Sequence, residues 1–182
     1  MKLYHASEEG NIPLFRPRPP SRADLDPAVG LVWAIDGKRL PNYLTPRDCP
    51  RVAYHIGPGT TAADRERFFT SRTASHAVII EGAWLERMAH TTLYLYEFDP
   101  AGFTLQDAVA GYYVSREAQR PAAVHVCRDL FGELVRRGVE VRLTDRLWDM
   151  AEAVQRSSLN WSLCRMSNAL PPVEPAKGGE TP

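Results

Sequence analysis

The chain has 182 residues, 44% of them hydrophobic and 24% charged, the usage of one ordinary globular domain and too few for two full ones. Its 22 Lys and Arg balance its 22 Asp and Glu, which argues against nucleic acid as a partner held by non-specific backbone attraction. No apolar run approaches the roughly 18 residues that a membrane-spanning helix needs, and the opening MKLYHASEEG lacks the charged-then-apolar layout of a signal peptide. A cytoplasmic protein with no membrane association is expected. Cys49, Cys127 and Cys164 are odd in number and far apart, so reduced thiols are expected rather than a disulfide framework.

In chain order, Lys2-Leu3-Tyr4-His5 is short and β-prone, and the polar run after it reads as a loop, which puts His5 at a strand end. Arg16-Pro17-Arg18-Pro19-Pro20 can form neither helix nor central strand, because each proline lacks an amide donor and restricts its predecessor; it predicts an extended loop with two guanidinium groups. Residues 31–35 are a continuous apolar run of strand length closed by Asp36-Gly37. Pro41 restricts any helix in residues 38–44 to a short one, and residues 51–55 predict the next strand.

Thr60 or Thr61 can cap a helix that runs to Phe69. Residues 77–80 and 92–98 are the clearest strands, the second alternating aliphatic and aromatic side chains, with a helical turn or two between them at residues 84–88. A strand pair is expected at residues 112–115 and 122–126. Asp129 then opens a helix with Leu130, Phe131, Leu134 and Val135 on one face, which Gly138 ends. Residues 139–143 alternate as a strand, and Asp145 is expected to cap a last helix with an apolar stripe of Trp148, Ala151 and Val154.

With no strand–helix unit of constant length, the pattern predicts an α+β fold, a mainly antiparallel sheet core with flanking short helices. A single domain is expected over residues 1–169, followed by a disordered tail at 170–182, because Pro, Gly and charge dominate from Pro171 on.

Phosphate-loop, dinucleotide-binding, zinc-protease and nucleophile-elbow signatures are all missing. The five histidines never occur as close pairs, so no metal is expected. Cys49, between Arg47 and Arg51, is more simply a small thiol in a proline-bounded turn than a nucleophile. Glu81 and Glu86 can be imagined as paired carboxylates but more simply face water. What remains is His5, Arg16, Arg18, Trp33, Tyr43, Arg47 and Arg51, then Tyr112, Tyr113, Ser115, Arg116 and Glu117. Guanidinium groups bind phosphates bidentately and aromatic faces stack on a base or a nicotinamide ring. A small-molecule nucleotide is the ligand this set fits. The plain alternative for Trp33 and Tyr113 is a place in the core.

Leu3-Tyr4-His5-Ala6-Ser7 resembles the opening strand of the ADP-ribosyltransferase superfamily, in which the histidine contacts a ribose of NAD. Residues 31–36 with Pro41-Asn42-Tyr43 are similar to that superfamily's aromatic strand and helix, the tyrosine packing on nicotinamide. The resemblance implies NAD as co-substrate, His5 and Tyr43 as catalytic residues, and Ser7, Arg16, Arg18, Trp33, Arg47, Tyr113 and Ser115 as NAD-binding residues. Tyr112-Tyr113-Val114-Ser115-Arg116-Glu117 is similar to the late strand that carries the catalytic glutamate, yet that position falls on Gly111 or Tyr112 and the carboxylate is missing. The chain over residues 1–169 also resembles a family of small bacterial proteins of unknown function. Three readings stay open: an ADP-ribosyl-transferring enzyme of unknown acceptor, a non-catalytic binding module that kept the fold, and an enzyme resembling RNA 2′-phosphotransferases. The neutral charge weakens the third.

Overall fold

The computed structural model describes residues 1–20 and 26–173, and the fold over them is α+β and mainly antiparallel. The N-terminal strand β1 (Leu3–Ser7) pairs with β2 (Val32–Asp36), and a 3-10 turn (Leu40–Tyr43) leads to β3 (Arg51–His55). Helix α1 (Ala62–Phe68), strand β4 (His76–Glu81), helix α2 (Leu85–His90) and strand β5 (Leu93–Phe98) follow. Strands β6 (Thr104–Asp107), β7 (Tyr112–Ser115) and β8 (Ala123–Cys127) precede helix α3 (Leu130–Arg136). Strand β9 (Val139–Thr144), helix α4 (Trp148–Gln155) and strand β10 (Asn160–Cys164) complete the order.

These strands form two sheets. The six-stranded one runs β6-β7-β2-β1-β5-β8 and is antiparallel throughout; the four-stranded one runs β10-β3-β4-β9, with β4 and β9 parallel. Between them lies a core that joins Ile35, Leu93 and Leu95 of the first sheet to Ala53, Val78 and Ile80 of the second, closed by Met88, Leu130 and Leu134 from the helices. The outer face of the second sheet packs Val52, Tyr54, Ala77 and Ile79 against Phe68, Ala151 and Val154. Because β4 is covered on both faces, all six of its residues are buried, which is why residues 77–80 read as an uninterrupted apolar run. On β5 the alternation separates its faces: Leu93 and Leu95 enter the central core, while Tyr96 and Phe98 join Leu3 and Ala34 on the other side.

Helix starts follow local chemistry. Thr61 caps α1 through the Asp64 N–H and Asp129 caps α3 through the Gly132 N–H. Asp145 does not cap α4, which begins at Trp148 after Leu147 with no side-chain cap; the loop turns Asp145 toward the Thr144 hydroxyl instead. Val135, placed on the apolar face of its helix from sequence, is 65% exposed. Two strands escaped the sequence reading, β6 and β10. The backbone of Leu170 is held on both sides, its N–H by the buried Glu81 carboxylate at 3.0 Å and its carbonyl by the Trp148 indole at 2.8 Å. Most of the expected tail, residues 174–182, lies outside the described residues. Among the described residues, no helix is long and apolar enough to cross a membrane.

Candidate functional site

The site starts from an interrupted ladder. Strands β1 and β2 are paired at only two rungs, Leu3↔Asp36 and Tyr4↔Ile35. Beyond them, His5, Ala6 and Ser7 no longer face a partner on β2. The Trp33 carbonyl, left without a strand partner on that side, accepts instead from the His5 ring at 3.0 Å. Two central strands therefore part at their ends, and the gap opens into a cavity of about 640 Å³.

Since a carbonyl can only accept, Nδ1 of His5 carries the proton and Nε2 is left as an acceptor. Burial pushes the His5 pKa below its ordinary value, and the Arg18 and Arg47 cations push it further down against the opposing pull of the Trp33 bond. The ring is thus neutral, steadied by Phe15 with centroids 4.9 Å apart.

Five arginines line the cavity: Arg16, Arg18, Arg47, Arg51 and Arg165. The proline loop is anchored as expected for an extended segment, with reciprocal backbone bonds between Arg18 and Leu31 at 3.1 and 2.9 Å, and it carries Arg16 and Arg18 to the rim. Arg47 sits on a turn tied to the β1 side by its N–H, which donates to Glu8 at 2.8 Å. Arg51 is 4% exposed; it donates to the carbonyls of Asn42 and Cys49 and lies 5.1 Å over the Tyr43 ring. Arg165 follows β10 in a left-handed conformation, φ 55. None of the five forms an ion pair among the described residues. The carboxylates on the cavity wall are Glu8 and Glu9, so five cations face two anions. A chain of zero net charge has concentrated positive potential in one cleft.

The aromatic side is built by register. Trp33 packs edge-on against Tyr112 with centroids 5.3 Å apart, and the Tyr43 and Tyr112 hydroxyls hydrogen-bond to each other. Tyr112 lies opposite Ile35 on β2 and Tyr113 opposite Ala34, so the two tyrosines take opposite faces.

Of the residues singled out from sequence, His5, Ser7, Arg16, Arg18, Trp33, Tyr43 and Arg47 all line the cleft. Tyr113 and Ser115 do not. Tyr113 packs beside Leu3, Ala34 and Phe98 on the outer face, and the Ser115 hydroxyl is occupied by Gln119 at 2.8 Å and the Glu117 N–H at 3.2 Å. Trp33 is half-buried at the cavity wall rather than in the core. Tyr112 and Arg51, both in the wider sequence set, are cleft residues; Arg165 escaped altogether. Cys49 is fully buried, and burial raises its thiol to about 12, so it is no nucleophile. Glu81 is buried and spent on Leu170, while Glu86 is exposed, so they make no catalytic pair.

A family match spans this whole arrangement. The chain belongs to the family of unknown function DUF6886, which matches over residues 4–169. Every cleft residue from His5 to Arg165 lies inside that range. No curated protein and no solved structure matches the chain. The family description carries no activity.

Proposed function

We propose that the cleft binds a phosphorylated nucleotide of the NAD or ADP-ribose type and supports cleavage or transfer at the ribose C1 atom. One observation carries this reading: five guanidinium groups without ion-pair partners among the described residues surround a neutral histidine in one cavity. Guanidinium groups bind phosphate oxygens in bidentate fashion, and a desolvated one such as Arg51 gains most from an anionic partner. The Nε2 acceptor of His5 suits a ribose hydroxyl. Trp33, Tyr43 and Tyr112 offer aromatic surface to a base or to nicotinamide.

In the reaction, nicotinamide leaves with the electron pair of its bond to C1, through an oxocarbenium-like state. Water or an acceptor forms the new bond to C1 and gives its proton to solvent. The protein's part is to hold both riboses and the diphosphate in place.

A second reading has its own support. Gly111 precedes β7 and Tyr112 opens it, neither of them a carboxylate, and Glu8 in the cleft already accepts from the Arg47 backbone N–H. A non-catalytic nucleotide-binding module fits those facts. Incubation with millimolar NAD, followed by chromatography for nicotinamide, separates the two. Release that is lost in His5→Ala supports the enzyme. Binding of ADP-ribose without release supports the module, and neither binding nor release defeats both.

A further inference from the structure

We propose that a second cavity, beside the start of the Leu40–Tyr43 turn, is a binding site for a small oxyanion of the phosphate or carboxylate type. It measures about 370 Å³ and shares no wall residue with the main cleft. Its cations are Lys38, Arg39 and Arg137, and its buried wall includes His55 and His76.

Arg39 is held ready rather than left to wander. Its N–H donates to the Asp36 carboxylate at 2.8 Å and its Nε to the Val109 carbonyl at 3.1 Å. Its stem lies against Gly111, where a Cβ would stand 2.5 Å from Arg39 Cγ and where φ is +67. Only glycine accepts both that approach and that backbone conformation readily. Among the described residues, neither terminal nitrogen of the guanidinium donates to a partner, and neither Arg39 nor Lys38 is ion-paired. Arg137 is committed to Glu133 at 2.8 Å. Asp36 is the carboxylate whose charge acts on Arg39, and burial still drives the Arg39 pKa below its ordinary value.

The two histidines face each other across the β3–β4 ladder, 4% and 7% exposed, with ring centroids 5.6 Å apart. His76 donates to the Asn42 side-chain oxygen at 2.6 Å, whereas His55 Nε2 has no partner among the described residues. A buried polar atom left without a partner is destabilising, and a group that hydrogen-bonded to His55 Nε2 would relieve that cost. Burial, together with the Arg39 charge, lowers both imidazoles, to about 4 for His55 and about 3 for His76, so the wall is neutral and dipolar beneath a positive rim. Among the described residues no third imidazole, thiol or carboxylate completes a metal-binding group with the pair. An anion within reach of the Arg39 fork suits this arrangement; a cation does not.

The test is a titration of isotope-labelled protein with inorganic phosphate, and separately with acetate, at constant ionic strength, read by imidazole NMR. Saturable shifts at His55 and His76 in the millimolar range are expected, with their pKa values moving upward. Arg39→Gln should weaken binding by about tenfold or more and the exposed Lys38→Gln by a few-fold; if the first variant fails to fold, the second decides. Preference for phosphate or for acetate identifies the anion, and either supports the site. A drift that sodium chloride reproduces, or no saturable response at either histidine, overturns it. His5 reports on the main cleft in the same spectra, so a response confined to His5 overturns this proposal while leaving the nucleotide reading standing.

Discussion

The two sheets meet one core yet treat their central strands in opposite ways. In the four-stranded sheet, β3 and β4 are paired along their full length and β4 is buried on both faces. In the six-stranded sheet, β1 and β2 separate after two rungs, and a histidine side chain takes the place of a ladder partner. The first arrangement uses its backbone groups for stability. The second leaves a gap that polar and aromatic side chains fill, and the cleft arises there.

If that division holds, substitutions in the second sheet should cost stability, and substitutions at the gap should cost binding. The largest effect is expected at Tyr54, which is fully buried against Phe68 and Phe69 and donates to the Phe68 carbonyl at 2.7 Å. Tyr54→Ala should lose about 3–5 kcal/mol in urea unfolding.

Acid comes next. Burial depresses the folded-state pKa of His55 to about 4 and of His76 to about 3, whereas an unfolded histidine titrates near 6.5. Between those values the unfolded chain binds more protons, so stability is fully present above pH ~6.5 and falls as the pH drops toward 4. His55 alone accounts for on the order of 3 kcal/mol of this, and the urea midpoint measured from pH 7 to pH 4 should trace it. A flat profile would mean that the pair is not buried as described.

The smallest effect on stability belongs to the cleft. Arg47 is exposed and ion-pairs with nothing among the described residues, so Arg47→Gln should change unfolding free energy by no more than ~0.5 kcal/mol. The same substitution should weaken ADP-ribose binding about tenfold in calorimetry. A reversal of that pattern, with Tyr54 tolerant and Arg47 structural, would break the comparison.

The same contrast explains what was legible in the sequence. Strand β4 and the aliphatic–aromatic alternation of β5 announce themselves because burial dictates residue type there. Strand β6 stayed hidden because Thr104, Leu105 and Gln106 are exposed and nothing constrains them. Strand β10 stayed hidden because its alternation is half-polar and it lies only a short turn after a helix. At the cleft, the proline loop and the Y-H-x-S strand could be read locally, and their His5, Ser7, Arg16 and Arg18 do converge. The choice between Tyr112 and Tyr113 depended on strand register, where a one-residue change of phase exchanges the faces. Arg165 and its neighbour Cys164 are far in sequence from the rest of the cleft and reach it because β10 pairs with β3, a long-range fact with no local motif.

In the proposed function, the gap between β1 and β2 is a nucleotide site organised by His5. Thermal unfolding of the wild-type protein and of His5→Ala, each with and without millimolar NAD or ADP-ribose, tests it directly, since a ligand that binds only the folded state raises its apparent stability. A ligand-dependent rise in Tm is expected for the wild type and should be lost in a folded His5→Ala variant. No rise in the wild type, or an equal rise in both proteins, would contradict it.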